Sequence, residues 1–235
     1  MSADYYIRLE QGRDRHPSDQ IVAALARVFS LDDDGVAHLP ELARPAPRRT
    51  RAARRVTPSL LRLMRTWSDT PALVLGRHMD VLAATPLAVA LNSCSAPGVN
   101  QVRMVFLDPE ARNIFPDWPK IAAETAAGLR VSAGTDLDDP RLTELMGELS
   151  LKSEDFRRLW AKHEVRAKTA GQKRFTHPLV GELALSYETF TVNGAPGQTL
   201  VVYHAEPGSD AEQSLVLLAG LSVDRAPGHS SVTTG

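Results

Sequence analysis

The sequence contains few of the residues and patterns that mark several common protein classes. It has 235 residues and a single cysteine, Cys94, so an internal disulfide and a zinc site built on a CxxC pair are both excluded. No apolar run approaches the roughly 18 residues that cross a bilayer, and the N-terminus has no secretory signal pattern. We therefore expect a cytoplasmic protein with no membrane partner.

Short catalytic motifs are also missing. The chain has no GxSxG elbow, GxGxxG turn, Walker loop or HExxH helix. Asp136, Asp138 and Asp139 have the charge for a hard cation, but Asp139 before Pro140 is better explained as a helix cap. The sequence therefore predicts no enzyme, no metal site and no cofactor.

The formal net charge of -1 conceals one strongly basic segment. Residues 44–58 contain six arginines and three prolines without an acidic residue, a composition that opposes a continuous helix. We interpret this segment as a linker. It is either a solvated spacer or a basic strip that contacts phosphates beside a DNA-binding domain.

Residues 1–43 have the pattern of a small helical unit. Ser18 is positioned to cap a helix in which Ile21, Leu25, Val28 and Phe29 recur at helical spacing. A further short helix is predicted over 35–42.

The segments RLEQGR and PSDQIVAALARVFSLDDD resemble the second half of an XRE-type helix-turn-helix domain. This resemblance implies a partial domain, because only four residues precede Tyr5, and it implies weakened binding to duplex DNA. A recognition helix presents its first residues to the major groove. Without the resemblance, Arg8 has the pattern of an ordinary exposed helix arginine. The implied DNA contacts are base contacts by Ser2, Ala3, Asp4 and Arg8 and phosphate contacts by Arg13 and Arg15.

The remainder, 59–221, alternates between sheet and helix signals. Two short apolar strands near 72–84 precede a helical region, and the last third alternates in the manner of antiparallel strands, with Asn193 and Gly194 marking a hairpin. Asp108, Asp139 and Ser153 are predicted helix starts. The arrangement predicts an α+β fold with an antiparallel sheet and helices on one side. Residues 222–235 are predicted to be a disordered tail.

Five segments occur in the order and spacing of a known family: GRHMDVLAATPLAVAL, FLDPEARNIFPDW, DPRLTELMGELSLKSEDFRRLWAKHEVR, HPLVGELALSYETF and GQTLVVYHAEPGS. They resemble the MmyB-like transcription regulators, which join an XRE-type helix-turn-helix to a PAS-like ligand-binding domain. Thr85 stands where the family usually has asparagine, and it lacks the paired donor and acceptor of an amide.

The resemblance implies a DNA-binding transcriptional regulator with a sensor domain for a small, largely apolar, fatty-acid-like effector. Arg103 is a candidate anchor for a carboxylate or a salt-bridging arginine, and His163 donates either to a ligand or to a backbone carbonyl. The alternative is a sensor or protein-interaction module that has lost specific DNA binding. Homodimerisation stays open. Besides Arg103, the candidate ligand-binding residues, each of which could instead be core packing, are Phe106, Trp118, Trp160, His163, Tyr187 and Tyr203.

Overall fold

The computed structural model describes residues 18–28, 55–133, 139–162 and 170–224. The chain divides into two compact units, Met1–Thr50 and Arg51–Gly235. In the first unit, helix α1 (Asp19–Val28) buries Leu25, as the spacing after Ser18 predicts, and also Val22, which was not predicted, whereas the predicted Ile21 is half-buried. Val28 was predicted on the same apolar face but is 72% exposed, because it is the last residue of the helix and lies at the edge of that face.

The second unit is built on a five-stranded antiparallel sheet. The strands are β1 (Ala72–Leu75), β2 (Val81–Ala84), β3 (Ala170–His177), β4 (Gly181–Thr191) and β5 (Thr199–His204). Their order across the sheet is β2-β1-β5-β4-β3, so the two early strands join the three late ones through the pairing of β1 with β5. The helical region between β2 and β3 is thus an insertion into one sheet.

Eight described helices accompany this sheet. They are α2 (Pro58–Arg65), α3 (Pro86–Leu91), α4 (Gln101–Leu107), α5 (Ala111–Ile114), α6 (Trp118–Ala133), α7 (Pro140–Lys152), α8 (Glu154–Ala161) and α9 (Asp210–Asp224). Helix α9 extends to Asp224, beyond the predicted end near Leu221.

Local capping explains where two of the inserted helices begin. The Asp139 carboxylate accepts from the Arg141 amide, and the Ser153 hydroxyl accepts from the Phe156 amide, as predicted. The helix start predicted at Asp108 is wrong. Asp108 ends α4, and its carboxylate accepts from the Glu110 amide in the turn before α5.

The sheet separates two apolar layers because strand side chains alternate between its faces. Leu183, Leu185 and Tyr187 of β4 face the main core, which the helices from α3 onward cover. On the other face, Ala72 and Val74 of β1 pack in a smaller cluster with α2. The predicted α+β fold is confirmed, and helix α2 is the one described helix of this unit that packs against the opposite face.

Candidate ligand-binding cavity

A cavity of about 310 Å³ lies between the main-core face of the sheet and helix α6. This volume is at the lower end of the range of about 300–1,000 Å³ that small-molecule sites occupy. The strands supply Leu73, Leu75, Lys173, Tyr187, Thr189, Thr191, Thr199, Val201 and Tyr203, and the helices and turns supply Gly76, Met79, Gln101, Val105, Phe115, Ile121, Glu124, Thr125, Gly128 and Val131.

Helix α6 presents a single face to this cavity. Its lining residues are spaced by three or four along the helix, which places them above one another. Pro119 in the first turn suits the start of a helix, because proline lacks only an amide that would have no partner there. The residues on this face are Ile121, Glu124, Thr125, Gly128 and Val131.

Two tyrosines form the centre of the sheet wall. Tyr187 of β4 and Tyr203 of β5 are cross-strand partners, with ring centroids 6.0 Å apart at an interplanar angle of 60°. Gly171 is the partner of Tyr187 on β3, and a Cβ atom there would lie 2.9 Å from the Tyr187 hydroxyl oxygen. Gly171 therefore leaves the space that the Tyr187 phenol occupies.

Lys173 brings a positive charge to the same wall. Its ammonium nitrogen lies 5.6 Å from the ring centroid of Phe115, 5.8 Å from that of Tyr187 and 5.7 Å from that of Tyr203. These distances are within the range of about 6 Å for cation–π attraction. The nitrogen also donates to the Tyr203 hydroxyl oxygen at 3.4 Å. Within the described ranges, Lys173 has no carboxylate ion-pair partner.

Burial raises the pKa of Tyr187 to about 12, with smaller contributions from the negative charge of Glu124 and from Tyr203. Loss of a proton would leave a phenolate in an apolar wall, which costs solvation energy. The phenol therefore remains a hydrogen-bond donor throughout the physiological pH range.

The turn between β1 and β2 closes one side of the cavity. Met79 has φ 62°, a left-handed conformation that costs most L-residues about 1–2 kcal/mol. Backbone hydrogen bonds hold it: the Met79 amide donates to the Gly76 carbonyl at 2.8 Å, and the Gln101 amide donates to the Met79 carbonyl at 2.9 Å. Its side chain contacts the cavity opposite Gly128.

Comparison with known protein families identifies the family of the second unit. The family model described as the MmyB-like transcription regulator ligand binding domain matches residues 56–218, more than half of the chain. The chain belongs to the MmyB-like ligand-binding domain family. A search of curated proteins found no significant match.

The MmyB-like domain places the sequence-predicted residues in different surroundings. Tyr187 and Tyr203 line the cavity. Phe106, Trp118 and Trp160 instead belong to a ring cluster beside Phe156, in which Phe106 meets Phe156 edge to face and Trp160 stacks on it at 5.4 Å. None of these three is among the residues that line the cavity beneath α6.

Two arginines cover the outer rings of this aromatic cluster. The Arg112 guanidinium lies 3.6 Å from the ring centroid of Trp118, and the Arg130 guanidinium lies 4.0 Å from that of Trp160. The indole nitrogen of Trp118 donates to the Val105 carbonyl at 2.9 Å, which satisfies its one donor. The contacts of this cluster are those of packing residues.

Arg103 lies away from the cavity beneath α6. It borders a second, more open hollow beside Cys94, and its Nε donates to the Glu148 carboxylate at 2.7 Å. Lys152 and Arg103 both hydrogen-bond to Glu148 and lower the pKa of that carboxyl. Of the two interpretations of Arg103, the salt-bridging one matches the contacts observed.

Thr85, the departure from the family pattern, is 1% exposed and serves the backbone. Its hydroxyl donates to the Thr70 carbonyl and accepts from the amides of Ala72 and Ala88. It thus fixes the start of α3 to strand β1 and is not part of the cavity lining.

Other predicted positions lie outside the described residues. They are His163 and the candidate DNA contacts Ser2, Ala3, Asp4, Arg8, Arg13 and Arg15. Among the residues that are described, no helix has the length and apolar character to cross a bilayer.

Sequence reasoning did not find Lys173, Glu124 or the lining face of α6. Lys173 lies between Gln172 and Arg174, and such a polar run is typical of a solvated strand. Its separation of two residues from buried Phe175 was the available signal, because residues i and i+2 of a strand share a face.

Proposed function

We propose that this chain is a transcriptional regulator whose second unit senses a small, largely apolar, fatty-acid-like effector in the cavity between the sheet and helix α6. The observation that carries the proposal is the cavity itself. Apolar and aromatic side chains form much of its wall, and the rest is polar, with four threonines, Gln101, Glu124 and Lys173. Such a lining is typical of small-molecule sites.

Several positions of the wall offer apolar contact to a ligand. Leu73, Leu75 and Val201 supply aliphatic contact, and Phe115 and Tyr203 supply aromatic contact. Each methylene transferred from water into such surroundings contributes about 0.8 kcal/mol. Affinity should therefore rise with chain length and reach a plateau when the cavity is full.

We further propose that residues 1–43 provide DNA binding and that the basic segment 44–58 adds salt-dependent affinity for phosphates. The support is the resemblance of RLEQGR and the residues after it to an XRE-type domain. If the helix-turn-helix reads bases, Arg8→Ala should abolish the preference of the protein for its operator. If only the arginine strip contacts DNA, binding should weaken steeply with added salt and do so equally for all DNA sequences. The second result would favour a sensor or interaction module without specific DNA binding.

The effector site can be tested by native mass spectrometry of the full chain with straight-chain carboxylates of increasing length. Val131, which is 38% exposed and lines the cavity, is the position to block. Val131→Trp should abolish binding without removing any core residue. Trp160→Ala is the matched control, because Trp160 packs on Phe156 and lies outside the cavity lining.

The two variants should separate binding from stability. Trp160→Ala should lower the unfolding midpoint and leave effector binding within about twofold, since it removes the packing on Phe156 and the contact with Arg130, neither of which lines the cavity. Failure of every chain length to bind the wild-type chain, or equal binding by wild type and Val131→Trp, would overturn the proposed site.

A further inference from the structure

We propose that Met79 is the gate of this cavity: its side chain closes the mouth against Gly128 and must swing aside before an effector enters or leaves. This inference rests on the proposed effector site and concerns how that site admits its ligand. It gives Met79 a role in access, which is separate from the affinity that the deeper wall supplies.

The mouth of the cavity lies at the C-terminal end of helix α6. Along the lining face of this helix, exposure rises from 2% at Ile121 through partly exposed Gly128 to 38% at Val131. Strand β4 shows the same direction, because Thr191 is exposed whereas Tyr187, four residues earlier, is buried. Solvent therefore reaches the cavity at the Val131 end, and an effector has to pass Gly128 to reach the buried wall.

The Met79 side chain fills the passage beside Gly128. A Cβ atom added to Gly128 would lie 3.8 Å from the Met79 methyl carbon and 3.9 Å from the Met79 sulfur, which is ordinary van der Waals contact. The space between Met79 and the helix therefore holds a methyl group and does not admit an alkyl chain. Entry of an effector requires displacement of the Met79 side chain.

The backbone of Met79 is held in place, so the side chain is the part that moves. The Met79 amide donates to the Gly76 carbonyl at 2.8 Å, and the Met79 carbonyl accepts from the Gln101 amide at 2.9 Å. The neighbouring His78 carbonyl accepts from the Asn100 side-chain amide at 2.7 Å. The methionine side chain is unbranched, with three rotatable bonds, and Met79 is partly exposed, so rotation toward solvent opens the mouth.

Both residues of this contact occupy positions that folding alone does not favour. Met79 keeps φ 62°, and strained residues of this kind persist where a site uses them. Glycine inside a helix is less stable than alanine, yet Gly128 stands where an alanine Cβ would meet nothing closer than 3.8 Å. The glycine is therefore not needed for packing in the closed arrangement, and it leaves room for a side chain or a ligand to pass.

The test measures the association and dissociation rate constants of decanoate with the full-length chain. They are obtained from the lineshapes of leucine and valine methyl signals of labelled protein during a titration. Truncation of a gate raises both rate constants, whereas truncation of a residue that only contacts the ligand raises koff and leaves kon nearly unchanged. Minor open states are populated at about 0.1–10%, so Met79→Ala should raise kon about tenfold or more. Met79→Asn should do the same, and it guards against a loosened turn because asparagine tolerates the left-handed conformation.

Gly128→Ala should act in the opposite direction. The added methyl group occupies the space through which the Met79 side chain and the ligand pass, so kon and koff should both fall, about fivefold, with the Kd changed by no more than about threefold. Gly147→Ala is the matched control, because Gly147 lies within helix α7, has open space at its Cβ position and is outside the cavity lining. Both substitutions raise helix propensity, so a difference between them reports on the gate.

The outcomes distinguish the gate from the function on which it rests. Faster entry in both Met79 variants, together with slower entry in Gly128→Ala, would support the gate. An unchanged kon in all three variants, or a change in koff alone, would make Met79 an ordinary wall residue and overturn the gate but leave the effector site. Failure of decanoate to bind the wild-type chain would overturn the effector site and the gate with it.

Discussion

Thr85→Val should destabilise the second unit far more than an isosteric substitution normally does. The Thr85 hydroxyl accepts from the Ala72 amide at 2.9 Å, donates to the Thr70 carbonyl at 2.9 Å and caps α3 through the Ala88 amide at 3.3 Å. Valine keeps the shape and removes all three hydrogen bonds. Ala72 is 0% exposed, so its amide would be left buried without its side-chain partner.

The magnitude follows from these contacts. A buried donor left unsatisfied costs about 1–3 kcal/mol, and loss of an N-cap costs about 1 kcal/mol. We therefore expect the free energy of unfolding to fall by about 2–4 kcal/mol. Thr57→Val is the matched control, because Thr57 also caps a helix that begins with proline but makes one exposed hydrogen bond, to the Leu60 amide at 3.3 Å. Its expected cost is about 1 kcal/mol or less.

Urea unfolding of the full chain, followed by tryptophan fluorescence, measures both variants. The three tryptophans, Trp67, Trp118 and Trp160, all lie in the second unit, so the signal reports on that unit alone. Thr85→Ser should retain most of the stability, because it keeps the hydroxyl. Equal losses for Thr85→Val and Thr57→Val would refute the reasoning.

Three further outcomes are expected. Gly171→Ala should weaken decanoate binding, measured by calorimetry, because the new Cβ would displace the Tyr187 phenol; unchanged affinity would contradict this close approach. Burial raises the pKa of Asp139, but the hydrogen bond from His78 and the charge of His78 outweigh this, so the net pKa is lowered. The ionised Asp139 therefore stabilises the fold above the ordinary aspartate pKa, and this stabilisation is lost as the pH falls through the lower pKa of the folded state. Asp139→Asn should therefore reduce the loss of stability on acidification in urea titrations, while the amide still caps α7. A fragment of residues 51–224 should unfold at a higher urea concentration than a fragment of residues 60–221, which lacks buried Val56 and the Arg55 carbonyl. Equal midpoints would argue against a unit that begins at Arg51.

The parts of the fold that depend on neighbouring residues could be predicted from the sequence. The caps at Asp139 and Ser153 involve amides two or three residues away, and the alternation of Leu183, Leu185 and Tyr187 directly indicates a half-covered strand. For the same reason, the sheet and its helical insertion were predictable from local patterns.

The site could be predicted only in part. Tyr187 and Tyr203 stood out because they are amphipathic residues within alternating strands. Arg103 gave no comparable signal, because its partner Glu148 is 45 positions away and on another helix. Lys173 faces the cavity because β3 pairs with β4 in one register, and a shift of one residue would turn it to the opposite face.

The most direct test of the effector cavity locates a bound ligand by isotope-filtered nuclear Overhauser measurements. Decanoate bound to the labelled chain should show contacts from its alkyl chain to the methyl groups of Leu73, Leu75 and Val201, which line the cavity beneath α6. Contacts instead to Met104 and Leu107, beside the open hollow at Cys94, would contradict the assignment of the effector to this cavity.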